Sequence, residues 1–160
     1  MKGLKETYMK YYGTVTRTEG DKQNGWYEEW YDNGQLALRA FFKDGKLDGA
    51  LITYWSNGQI WQIRPYNNGK PDGASKSWYS NGILGSKAYY KNGKKEGVSQ
   101  TWHEDGSPWH METYKDDKRD GVSVMYDYDD EGQVYWINFY KDGECTDRRI
   151  YNSDGTQNLF

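Results

Sequence analysis

The sequence predicts an all-β fold, an elongated single-layer antiparallel meander of stacked β-hairpins, and three observations carry that prediction. First, Gly25, Gly49, Gly73, Gly97 and Gly121 open five similar segments 24 residues apart. A fixed period of this size marks a repeat architecture. Second, each segment holds two turn signals. One is Asn-Gly or Asp-Gly at 33–34, 57–58, 81–82 and 105–106; the other is of the "DGKLDG" kind at 44–49, 68–73, 92–97 and 116–121. Third, the stretches between turns are rich in Trp, Tyr, Thr, Val and Ile, which suit a pleated surface. Prolines are confined to Pro65, Pro71 and Pro108.

Taken in order, residues 1–24 keep only echoes of the period and read as N-terminal capping strands. Residues 25–144 hold five hairpin repeats, such as "GWYEEWYDNGQLALRAFFKDGKLD" and "GASKSWYSNGILGSKAYYKNGKKE". The fifth carries two extra residues in its first turn. Residues 145–160 read as a partial C-terminal capping repeat. Two strands per repeat, each closed by a turn, should pair edge to edge.

Counting each repeat from its glycine as zero gives three aromatic or apolar columns. Column 5 is Trp30, Tyr54, Trp78, Trp102 and Tyr126. Column 11 is Leu36, Ile60, Leu84, Pro108 and Val134, and column 17 is Phe42, Tyr66, Tyr90, Tyr114 and Tyr140. A three-residue loop such as Asp32-Asn33-Gly34 pairs Trp30 with Leu36, and side chains alternate faces along a strand. On that reading the three columns share one face, the core. The other face then carries Tyr31, Trp55, Trp61, Ile63, Tyr79, Trp109 and Met111. A contiguous exposed aromatic patch marks an interaction surface, so these seven are the expected partner-binding residues.

Aromatic residues make up 18% of the chain, which argues against disorder although the apolar fraction is only 35%. Net charge is uneven: 0 over residues 1–48, +5 over 49–96 and −8 over 97–160. Such an asymmetry can steer a charged partner. The basic excess is too small and scattered to argue for direct nucleic-acid binding. The N-terminal stretch lacks an apolar secretory core, and no run of apolar residues is long enough to span a membrane. A cytoplasmic protein is expected.

No catalytic set stands out. The one cysteine, Cys145, has no second cysteine to pair with. His103 and His110 are expected on opposite faces, so no shared metal and no cofactor are expected. The glycines recur at turn spacing and do not form a nucleotide loop. "DYDDEG" at 127–132 partly imitates a calcium loop, but the twelfth position is Asn138 rather than Glu. Asp127, Asp129, Asp130 and Glu131 are expected as a solvated acidic tip.

Units such as "FFKDGKLDGALITYWSNGQI" and "YKNGKKEGVSQTWHEDG" resemble the variant MORN repeat of many bacterial proteins. The resemblance covers about residues 8–155. It implies a sheet of stacked hairpins and a non-enzymatic binding role. Bacterial chains of this kind are grouped as antitoxins of the YwqK type, while eukaryotic relatives are tied to scaffolding and to phosphoinositide membranes. The expected function is a protein-binding module of antitoxin, immunity or phage-inhibitor type, which occludes a toxin, effector or defence enzyme through an aromatic sheet face. The alternatives are a structural scaffold or self-associating homo-oligomer, and a membrane-binding module. The acidic third of the chain suggests mimicry of nucleic acid as a further option.

Overall fold

The computed structural model describes residues 15–127 and 133–158 and divides into two compact units that meet at Gly73 and Ala74. Strands and turns make up the described residues, with no helix among them. The first unit contains β1 (Val15–Gly20), β2 (Gly25–Tyr31), β3 (Leu36–Lys43), β4 (Lys46–Leu47), β5 (Gly49–Tyr54), β6 (Ile60–Asn67) and β7 (Lys70–Pro71). They hydrogen-bond in the order β1-β2-β3-β5-β6, with β4 on β3 and β7 on β6.

The second unit contains β8 (Gly73–Trp78), β9 (Leu84–Lys91), β10 (Lys94–Lys95), β11 (Gly97–Trp102), β12 (Pro108–Lys115), β13 (Lys118–Tyr126), β14 (Val134–Lys141), β15 (Glu144–Tyr151) and β16 (Gln157–Asn158). Its order is β8-β9-β11-β12-β13-β14-β15-β16, with β10 on β9. Each unit is thus a single antiparallel layer of hairpins, as the turn spacing requires.

The first turn of the first four repeats is the expected three-residue loop. Gly34 N–H donates to Tyr31 C=O at 3.0 Å, and Tyr31 N–H donates to Gln35 C=O at 2.9 Å. Gly34 takes φ 81°, the left-handed region where glycine has no steric penalty. Asn33 Oδ1 accepts from Gln35 N–H at 3.0 Å, the local bond that makes Asn a turn former. Its amide also donates to Ser56 C=O in the next repeat at 2.8 Å. Asn81 repeats both bonds, with Ile83 and Glu104.

The second turn is a two-residue hairpin with both central residues at positive φ, as in Asp44 (49°) and Gly45 (71°). These turns are capped from the preceding repeat. Asn24 Oδ1 accepts from Asp44 N–H at 3.1 Å, Asp48 Oδ2 from Asn68 N–H at 3.3 Å, Glu96 Oε2 from Asp116 N–H at 3.1 Å, and Asp120 Oδ2 from Asp142 N–H at 3.3 Å.

The three columns do not share a face, and a bulge is the reason. Trp30 pairs with Leu36 as expected, but Glu29 pairs with Leu38, leaving Ala37 as an extra residue. The same slip falls at Trp61, Trp109 and Tyr135. One inserted residue resets the alternation. Phe42 therefore pairs with Gly25 and shares a face with Tyr27, Glu29, Leu38 and Ala40, away from Trp30. This is the inner face. It holds the buried Ala40, Phe42, Thr53, Ser75, Ser123 and Asn138.

Much of that inner face is polar, and several of its polar groups are paired, while the Thr53 hydroxyl is buried without a hydrogen-bond partner among the described residues. Ser77 and Ser86 hydroxyls meet at 2.6 Å, and Arg148 Nε donates to Asn138 Oδ1 at 3.0 Å. Burial of a polar group costs little once it is hydrogen-bonded. Tyr27 donates to Glu29 at 2.9 Å, and burial together with that carboxylate pushes its hydroxyl up to about 12.

Candidate binding face

The opposite, outer face carries most of the exposed apolar side chains. In the second unit, pairing lines up Lys87, Gln100, Met111, Val124, Ile137 and Arg149 in one cross-strand row. Two residues along, Tyr89, Val98, Thr113, Val122 and Phe139 lie on the same face by strand alternation. Tyr89 is 50% exposed and Val98 46%. In the first unit the outer face begins with Trp26, 53% exposed, whose ring meets Phe41 edge-on at 5.4 Å. The Arg39 guanidinium lies 5.5 Å from the Trp26 ring and pairs with Glu28.

The seven expected binding residues separate into three groups. Ile63 and Met111 lie half-buried on the outer face, Ile63 opposite Ile52. Trp55 and Trp61 form a half-buried ring pair at 5.5 Å, and His103 and Trp109 form another at 5.5 Å. Trp109 is 47% exposed.

Tyr31 is buried, against the expectation, and Tyr79 is half-buried with a matching bond. Tyr31 is 1% exposed and its hydroxyl donates to Tyr54 C=O at 2.6 Å. Tyr79 donates to Trp102 C=O at 2.7 Å. A side chain on Gly85 would come within 3.1 Å of the Tyr79 ring; Ala37 holds the corresponding place beside Tyr31. The small residue at the bulge lets the tyrosine ring lie down and reach the next repeat. Where the bulge carries Trp, at Trp61 and Trp109, its partner is Trp55 or His103; the Trp61 indole is half-buried and that of Trp109 is exposed. The acidic tip is represented by Asp127, whose N–H donates to Gln133 C=O at 2.7 Å. Asp129, Asp130 and Glu131 lie outside the described residues.

Sequence reasoning missed Trp26, Tyr89 and Val98. Their columns pair across the hairpin only when the bulge is counted, so no local pattern marks them.

Pairing also brings His110 Nε2 to 3.0 Å from Ser123 Oγ. Ser123 is 1% exposed, so its hydroxyl offers no room for a substrate, and the contact serves packing. His110 also meets Trp136 edge-on at 5.5 Å. Burial lowers its pKa below the usual 6.5, the Arg119 cation lowers it further, and Glu112 opposes both. The unfolded chain therefore binds this proton more readily than the folded one. The stability contribution is intact above about pH 6.5 and is lost as pH falls through the folded value. A lower melting temperature is expected at about pH 5.5 than at about 7.5, with most of the difference removed by His110→Gln. Asp116 and Asp120, held below the usual 3.8 by Lys94 and Lys141, act only at more acid pH.

Among the described residues no group of three or more His, Cys, Asp or Glu side chains could hold a metal ion. Nor is any helix there long and apolar enough to cross a membrane. Cys145 is exposed, its thiol 3.4 Å from Asp147 C=O. No curated protein matches the chain. Four consecutive stretches, residues 23–44, 47–68, 71–92 and 95–116, match the MORN repeat variant, and the chain belongs to that repeat family.

Proposed function

We propose that the chain is a non-enzymatic protein-binding module that occludes its partner, of the antitoxin, immunity or phage-inhibitor kind. The observation that carries this reading is exposure: Trp26, Tyr89, Val98 and Trp109 are each about half open to solvent. Large aromatics left half open on a rigid sheet are the anchor type that dominates protein interfaces. Each unit carries its own set, Trp26, Trp55, Trp61 and Ile63 in the first and Tyr89, Val98, Trp109 and Met111 in the second. Hairpin strands hold these side chains in fixed directions, so little ordering remains to be done on binding.

The double variant Trp61→Ala/Trp109→Ala tests the reading. It is expected to keep its melting temperature within a few degrees and to lose the partner that co-purifies with the unaltered chain. Retention of the partner by a folded double variant would sink the idea. Self-association is the rival for these side chains. Light scattering at high concentration separates the two, since a strict monomer leaves the aromatic faces to a different protein.

A further inference from the structure

One slot on the outer face changes character from repeat to repeat. In the first repeat it holds Glu28 opposite Arg39, closed as an ion pair. In the second it holds Ile52 opposite Ile63, and in the fourth Gln100 opposite Met111. In the third repeat the same slot holds Lys76 and Lys87. Their opposition is fixed by the neighbouring serines, whose hydroxyls touch at 2.6 Å. Like charges directly opposite on antiparallel strands are destabilising. Both lysines are exposed, and neither makes an ion pair among the described residues. No carboxylate occupies the outer face of β8, β9 or β11; Lys87 faces Gln100 on β11. Beside the pair lie the exposed Ala74, Tyr89 and Val98.

We infer that Lys76 and Lys87 form a carboxylate-receiving pair, and that this patch docks an acidic protein segment whose apolar side chains cover Tyr89 and Val98. The inference rests on the protein-binding reading above and names the chemistry of the partner. A carboxylate between the two ammonium groups relieves their repulsion, so binding supplies what the Glu28–Arg39 pair supplies internally in the first repeat. The apolar flank favours a protein segment over a bare anion, which would leave Ala74, Tyr89 and Val98 uncovered.

The probe is a dye-labelled synthetic peptide in which leucine alternates with glutamate, read by fluorescence anisotropy beside a twin with lysine for glutamate. The glutamate peptide is expected to bind, more weakly as salt rises, and the lysine twin to stay free. Lys76→Glu sets a carboxylate opposite Lys87, the arrangement of Glu28 and Arg39. It is expected to weaken the glutamate peptide by about tenfold or more and to raise the melting temperature. Equal binding of the two peptides, or an unchanged affinity in Lys76→Glu, overturns the inference. So does Lys76-dependent sedimentation with phosphatidylserine vesicles when the glutamate peptide does not bind, which assigns the patch to a membrane. If neither peptide binds but Trp61→Ala/Trp109→Ala still releases the natural partner, acid selectivity fails and the protein-binding reading stands. If the glutamate peptide binds through Lys76 while that double variant keeps its partner, the reverse holds.

Discussion

Tyr31→Ala is expected to destabilise the first unit by about 3–5 kcal/mol, the usual cost of truncating a buried aromatic, read as a fall in the urea midpoint at constant slope. Two losses combine. The ring is 1% exposed, and its removal leaves a void that strands on either side cannot close without breaking their ladder. The hydroxyl also bridges to Tyr54 C=O at 2.6 Å, tying one hairpin to the next. Tyr31→Phe separates the two and is expected to cost about 1–2 kcal/mol, because the acceptor is left without this donor. If Tyr31→Ala were tolerated within about 1 kcal/mol, the side chain would belong to the surface and the sequence-based assignment of Tyr31 to a binding face would be restored.

Gly121→Ala is expected to cost about 2–3 kcal/mol, from backbone strain together with crowding. Gly121 sits at φ 115°, a region that side chains rarely enter, and a Cβ there would lie 3.2 Å from Thr113 Cβ. The near atom is the root of a side chain whose hydroxyl donates to Val122 C=O at 3.1 Å, so it has little freedom to retreat. Gly25 provides the control. It has nearly the same φ, 117°, with nothing within 4 Å of its would-be Cβ. Gly25→Ala should therefore show the strain alone and cost less than Gly121→Ala. Equal costs would mean that the Thr113 contact relaxes freely.

The period, the two turns and the strand count were legible because glycine and Asn-Gly act locally and leave a direct trace in sequence. The Trp30–Leu36 pair was legible for the same reason, since loop length alone determines it. The bulge was not. Ala37, Trp61, Trp109 and Tyr135 range from a methyl group to the largest side chain, because an extra residue is defined by what it fails to pair with across the hairpin. Missing it exchanged faces for part of every repeat. Phe42 is buried as the columns predict, but Trp30 and Leu36, grouped with it in sequence, lie on the opposite face; Tyr31 is buried rather than at the surface, and Trp26, Tyr89 and Val98 carry no sequence mark. A trace of the truth was present in the alternation of Tyr31 with Ala37 and Tyr79 with Gly85 against Trp55 with Trp61. The Lys76–Lys87 opposition could not be read at all before the register was known.

Four turn caps share a direction. Asn24, Asp48, Glu96 and Asp120 each satisfy a backbone N–H about 20 residues further on, while Asp117 reaches back, to Lys95 N–H at 2.6 Å. A hairpin leaving the ribosome would therefore meet its acceptor already in place on the hairpin made before it, and the fold can be laid down as a vector from the N-terminal side. Where the cap runs forward, loss of the later hairpin leaves a solvated carboxylate, which water accommodates. Loss of the earlier one strands a turn amide on the hairpin that follows. Two ends built from nearly the same repeat are thus unequal partners in assembly, and nested truncations from either side should reveal that asymmetry.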